Sequence, residues 1–154
     1  MPGLLIVLGF MAIVAMIGAQ RQVLIPPLEQ NAAQTFGASF RALAHASVAY
    51  VEANPGATGT IAPASLTPYL GPYAPPAQAS AQISNGLLVV SALPPGQVGT
   101  VQWMARNLAA TSGDMAYGYV AGGQMVSGAG SILGTPPAGV INGEAVYVIV
   151  RPTS

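Results

Sequence analysis

The chain begins with an apolar run that restricts what the whole protein can be. Residues 3–19 carry no charge and almost no polar side chain. A helix of that length spans roughly 25 Å at 1.5 Å per residue, which is the short end of what a bilayer core of about 30 Å requires. Because the run is hydrophobic on every face, it does not fit a helix on the surface of a soluble domain.

The run therefore predicts a membrane anchor over residues 1–25. The side chains expected to face lipid are Leu4, Leu5, Ile6, Val7, Leu8, Phe10, Met11, Ile13, Val14, Met16 and Ile17. The alternative is a cleaved signal, which would release a soluble binding module. No basic residue precedes the run, and Ile17-Gly18-Ala19 is not the small-x-small pattern of a cleavage site. Retention of the anchor is the preferred interpretation.

Charge is scarce in the rest of the chain. Four arginines balance four acidic residues, and charged residues make up 5% of the sequence, against roughly 25% in ordinary soluble domains. A neutral chain without a basic patch argues against a nucleic-acid partner. A surface with so few charges suggests that other proteins cover part of it.

Residues able to do chemistry are few and far apart. His45 is the only histidine, cysteine is absent, and the acids are Glu29, Glu52, Asp114 and Glu144. This spacing shows no metal-ligand cluster. In "GAGSILG", Leu133 stands where a dinucleotide-binding loop needs glycine, and Ser131 lacks the flanking glycines of a nucleophile elbow. We expect that the protein is not an enzyme and that it binds no metal, cofactor or small-molecule substrate.

A second, amphipathic helix is predicted within residues 26–56, from Leu28 to about Ala53, and "NPG" ends it. Its apolar stripe at three- and four-residue spacing is Phe36, Phe40, Leu43, Ala44, Ser47, Val48 and Val51. Such a helix is roughly 39 Å long, so we expect its C-terminal half to dock on the rest of the domain and its N-terminal half to project toward the membrane.

Phe36 and Phe40 lie one turn apart and form the candidate interface. They are either the edge of the core or anchors into a neighbouring subunit. We expect Phe40 to be a core residue and Phe36 to contact a partner.

The remaining residues, 57–154, predict a small head domain. Asn85-Gly86 and Gly122-Gly123 each mark a two-residue hairpin, and "EAVYVIVR" reads as the last strand. A helix is expected from about Gln97 to Thr111, with Trp103 as a core aromatic or an exposed anchor. Residues 57–80 and 128–139 are expected to be irregular.

The predicted fold class is α+β. An N-terminal transmembrane or spine helix and an amphipathic helix precede a small head, in which one further helix packs on an antiparallel sheet of four or five strands.

The order of these features resembles the small PilM proteins of plasmid-type type IVB (thin) pilus operons. The resemblance rests on the apolar N-terminus, the helix ending "VAYVEANPG", the Pro- and Tyr-rich connection, and the closing text "DMAYGYVAGGQMVSG" and "SILGTPPAGVINGEAVYVIV". It implies an inner-membrane protein with a periplasmic domain, at the pilus base or in the pilin-transport apparatus, with other pilus or secretion proteins as partners. It brings no catalytic residues.

Type IV pilins and minor pilins share the plan of a hydrophobic helical spine with a small head, so a self-assembling filament subunit is the alternative. The sequence departs from the pilin pattern, because no basic leader precedes Gly9-Phe10 and no glutamate lies early in the spine. Arg21 after the run would favour a cytoplasmic head. The resemblance implies a periplasmic one, which we adopt.

Overall fold

The computed structural model describes residues 27–96, 98–114 and 116–151. The anchor predicted over residues 1–25 lies outside these residues. Within them, no helix combines the length and the hydrophobicity that crossing a bilayer demands.

Three helices and seven strands make up the described chain, which confirms the α+β class. In chain order they are α1 (Pro27–Ala53), β1 (Gly59–Thr60), α2 (Pro63–Leu70), β2 (Ser80–Ser84), β3 (Leu87–Ala92), α3 (Val98–Ser112), β4 (Tyr117–Ala121), β5 (Gln124–Ser127), β6 (Ile132–Gly134) and β7 (Ala145–Val150).

All seven strands form one antiparallel sheet in the order β1-β2-β3-β7-β4-β5-β6. The last strand in the chain, β7, lies in the middle. On one side Val148 pairs with Val89 of β3, and on the other Tyr147 pairs with Tyr117 of β4. Two strand groups, β1-β2-β3 and β4-β5-β6, are therefore joined through β7.

Both predicted hairpins are present, and their turn residues explain why. Asn85 and Gly86 adopt φ values of 52° and 76°, and Gly122 and Gly123 adopt 58° and 73°. Two consecutive positive φ angles are what a two-residue turn needs to match the twist of its strands. Asparagine and glycine accept that conformation at the least steric cost.

One face of the sheet packs against the helices. Its core includes Phe36, Phe40, Leu43, Leu66, Leu70, Leu88, Val90, Met104, Leu108, Tyr117 and Tyr147. The predicted stripe of α1 is confirmed, because its residues are buried except for the partly buried Val48. Even Ser47 is inside, where its hydroxyl donates to the carbonyl oxygen of Leu43 at 2.8 Å. The helix and the head thus share one core.

The opposite face of the sheet carries a second apolar cluster of Val89, Val120, Met125, Val140, Val146 and Val148. One loop, residues 135–143, lies over it and is here called the strap. Val140 of the strap belongs to the cluster. The strap extends from β6 across to β2, where the Gln82 side-chain amide donates to the carbonyl oxygen of Ala138 at 3.4 Å.

The expected irregular segments proved partly wrong. Residues 57–80 contain β1 and α2, and 128–139 contain β6, so the sheet has seven strands rather than four or five and the head has two helices rather than one. Leu66 and Leu70 of α2 are buried against the core. This packing holds α2 although Pro68 removes one of its hydrogen bonds. Strands of two or three residues are too short to show alternation in sequence.

The prediction that the N-terminal half of α1 projects away from the head was also wrong in part. Ala33 and Phe36 are 2% and 7% exposed. Docking on the head therefore begins no later than Ala33, in the second turn of the helix.

Candidate functional site

The structure places the candidate interface residues inside the core. Phe36 is 7% exposed and Phe40 is fully buried. Their rings stack with centroids 5.7 Å apart, and Phe40 meets Tyr117 edge-on at 6.2 Å. Stacked and edge-on contacts of this kind stabilise a core beyond the area they bury. The geometry favours the core alternative for both residues, and a partner contact by Phe36 stays a prediction.

An apolar groove of about 760 Å³, here called the proline groove, runs along the N-terminal half of α1. The helix supplies one wall, including Ala32 and Phe36, and the other wall contains Pro75-Pro76 and Leu93-Pro94-Pro95. Proline has no backbone N–H. This wall is therefore suited to apolar contact rather than to pairing with an added strand.

Hairpin pairing creates the proline groove, and this is the part that the sequence analysis missed. One proline pair precedes β2 and the other follows β3. Antiparallel pairing sets Ser80 opposite Ser91, with their hydroxyl oxygens 2.9 Å apart, so the two open ends of the hairpin are neighbours. The available signal was the placement of one proline pair on each side of the predicted hairpin, with Pro76 nine residues before Asn85 and Pro95 nine residues after Gly86.

A second groove, of about 320 Å³, lies between α1 and α3. Gly37 and Leu108 line it, and Trp103 lies half-buried beside them. Trp103 packs against the helix-side core and is partly buried. Its position is therefore intermediate between the core aromatic and the exposed anchor that the sequence allowed.

Arg41 ties the two helices together, since its Nη2 donates to the hydroxyl of Thr111 at 3.1 Å. Its Nε is buried and has no hydrogen-bond partner among the described residues.

Tyr117 and Tyr147 lie in the helix-side core with ring centroids 4.7 Å apart. Burial raises the pKa of Tyr117 to about 12, although the nearby charge of Arg41 opposes the shift. Burial also raises the pKa of Tyr147, and the charge and hydrogen bonding of Asp114 raise it further. Both phenols are therefore protonated at neutral pH, which fits a structural role better than proton transfer.

The other residues considered for chemistry are not brought together. His45 is exposed on α1. Ser131 lies in the turn between β5 and β6, where its amide donates to the Ser127 hydroxyl at 3.0 Å. The described parts of the chain hold no group of three or more His, Cys, Asp or Glu side chains suited to a metal ion.

Comparison with known proteins gives one family and one solved structure. The sequence profile of the PilM family matches residues 4–148. The crystal structure of a protein described as PilM from Escherichia coli B7A is 21% identical, with a TM-score of 0.54 over 83% of this chain and 98% of that one. That similarity supports the fold alone. No curated protein matches the sequence.

Proposed function

Because this chain belongs to the PilM family, we propose that it works in a pilus-related system as a membrane-anchored structural or assembly component of a type IVB pilus. It acts by binding other proteins at the pilus base or in the pilin-transport apparatus. The apolar run of residues 3–19 holds it in the bacterial inner membrane as a single span. The head lies in the periplasm.

The observation that carries the binding role is the proline groove. Its described lining residues include none with a charge, and exposed apolar side chains lie beside it, with Tyr73 49% and Leu93 39% exposed. Concave apolar surface of this kind is typical of sites that receive a partner's side chains. A partner is therefore expected to bring apolar side chains rather than opposite charge.

The position of the groove also supports the proposal. It follows the N-terminal half of α1, from Asn31 to Ser39, and only seven residues, 20–26, separate the start of this helix from the apolar run. With the anchor retained, the groove lies on the part of the head nearest the membrane. Other inner-membrane components of a pilus machine are within reach there.

A pair of matched variants tests the proposal in cells that produce the pilus. Ala32→Glu places a carboxylate in the groove, and Ala110→Glu places one on α3, outside the groove; both alanines are exposed. Because neither site is in the core, both variants should melt as the wild type does. We expect Ala32→Glu to reduce assembled pili at least tenfold and Ala110→Glu to leave them unchanged.

The same cells separate the alternatives. Normal piliation without the protein would overturn the pilus role, whereas equal piliation with both variants would overturn only the groove. Recovery of the protein in sheared filaments rather than in the membrane fraction would identify a filament subunit. Recovery of a soluble form starting at Gln20 would identify a released binding module.

A further inference from the structure

The two apolar faces of the sheet are covered very unequally. The helix-side face packs against large side chains from three helices. On the other face, Val140 is the buried side chain of the strap, while Ala138, Gly139 and Ile141 of the strap are exposed, Ile141 by 58%. Beneath the strap, Met125 and Val146 are fully buried. The strap thus contributes one buried side chain to the cover of this apolar cluster.

The hydrogen bonds of the strap are concentrated at its C-terminal end. The amide of Gly143 donates to the Val120 carbonyl oxygen at 2.9 Å, and the side chain of Asn142 accepts from the Gly123 amide at 3.0 Å. Between the first half of the strap and the sheet strands, the described hydrogen bond is that of Gln82 to Ala138, which is long and exposed. Apart from the packing of Val140, residues 135–140 are therefore held less firmly than residues 141–143.

We propose that the strap is a flap that opens while the rest of the domain stays folded. Residues 135–140 lift away from the sheet between strand β6 and the fixed end near Gly143. The strap begins after Gly134, which pairs with Met125 in the sheet, and Val140 of the strap belongs to the same apolar cluster as Met125. Lifting Val140 out of that cluster therefore uncovers Met125. Local opening of this kind needs few contacts to break, unlike opening of the helix-side core.

Two buried methionines provide the test. Met125 lies under the strap and Met104 lies in α3 on the helix side, with exposures of 0% and 2%. A buried thioether reacts with peroxide when its surroundings open. We expect dilute hydrogen peroxide, acting on the folded full chain, to oxidise Met125 at least tenfold faster than Met104, as read by peptide mass spectrometry. Equal rates would overturn the proposal.

Two valine truncations distinguish local from global opening. Val140→Ala removes the buried anchor of the strap, and Val101→Ala removes similar bulk from α3; their exposures are 8% and 2%. We expect Val140→Ala to speed oxidation of Met125 severalfold without changing Met104. Val101→Ala should instead leave the Met125 rate unchanged. Parallel acceleration of both methionines by Val140→Ala would show global unfolding and contradict the flap.

A crosslink should close the flap. The chain has no native cysteine, so Gln82→Cys with Ala138→Cys gives a single thiol pair across the strap and β2. A short dibromoalkane joins the two thiols as thioethers with release of two bromide ions and two protons, and its carbon chain replaces the length of the lost glutamine side chain. We expect the crosslinked protein to oxidise Met125 as slowly as Met104, while the same variant with alkylated, unlinked thiols keeps the fast rate. An unchanged rate after crosslinking would overturn the proposal.

Discussion

Phe36 and Phe40 stack along α1 with their ring planes inclined by 13° and their centroids 5.7 Å apart. Phe40 continues the contact to Tyr117 in β4, and Tyr117 to Tyr147 in the central strand β7. Four aromatic rings therefore run from the outer helix to the middle of the sheet. The helix is an integral part of the core through them.

Truncation of either phenylalanine should destabilise the head. We expect Phe40→Ala to lower the free energy of unfolding by about 3–5 kcal/mol, because it leaves a cavity at a fully buried site. Phe36→Ala should cost at least about 2 kcal/mol, whereas the sequence analysis expected Phe36 to contact a partner rather than to stabilise the core. Chemical denaturation of the solubilised chain measures both. Thr35→Ala, at an exposed neighbour, is the control, and a wild-type melting curve for Phe36→Ala would restore its interface role.

Removal of the Tyr117 hydroxyl should change the alkaline stability of the protein. The pKa of Tyr117 is about 12 in the folded state and about 10 in an unfolded chain. The unfolded state therefore loses its proton first, and stability present below pH 10 is lost as the pH rises toward 12, by about 2 kcal/mol. Tyr117→Phe should reduce this loss in denaturation curves recorded from pH 9 to 12.

At neutral pH the same variant should be at least as stable as the wild type, because the Tyr117 hydroxyl is buried without a hydrogen-bond partner among the described residues. Tyr119→Phe is the comparison. Its hydroxyl accepts from the Gln102 side chain at 3.2 Å, and its loss should cost about 1 kcal/mol. A greater loss of stability for Tyr117→Phe than for Tyr119→Phe would contradict this account.

Gly128 should tolerate no side chain. A Cβ there would lie 2.6 Å from the carbonyl oxygen of Ala105 in α3, which is backbone and unable to rotate away. We expect Gly128→Ala to lower the free energy of unfolding by about 1–3 kcal/mol, measured by thermal melting. Gly56→Ala, at a site with no neighbour within 4 Å, should melt as the wild type does. Equal melting of the two variants would refute the close packing of this turn on α3.

Interruption of the apolar run should release the protein from the membrane. Val14→Arg places a charge near the centre of the predicted span, which costs roughly 2.5–3.5 kcal/mol for insertion. We expect the variant to move from the membrane pellet toward the soluble fraction, and Val14→Leu to remain in the pellet. The intact mass of the wild-type protein should correspond to a chain that begins at Met1 or Pro2, not at Gln20. An unchanged pellet for Val14→Arg would count against a spanning role.

Local signals explain what the sequence predicted well. The turns at Asn85-Gly86 and Gly122-Gly123 depend on the residues themselves, and the stripe of α1 repeats over enough turns to be read directly. Helix α2 and strand β6 have no such signal, because tertiary contacts stabilise them. Predicting the proline groove would have required knowledge that Ser80 pairs with Ser91. Burial of Phe36 was unpredictable because the stripe shows a face but not what covers it.

The central place of β7 has a consequence for how the protein is made. A ribosome produces residues 59–134, which supply the six outer strands, before Ala145–Val150 emerges. Until then, the edges of β3 and β4 that pair with β7 are open, and no strand joins the two half-sheets. The complete sheet can therefore form only after β7 has been made. Until that point, the open edges of the two half-sheets are sites where another chain could pair by mistake.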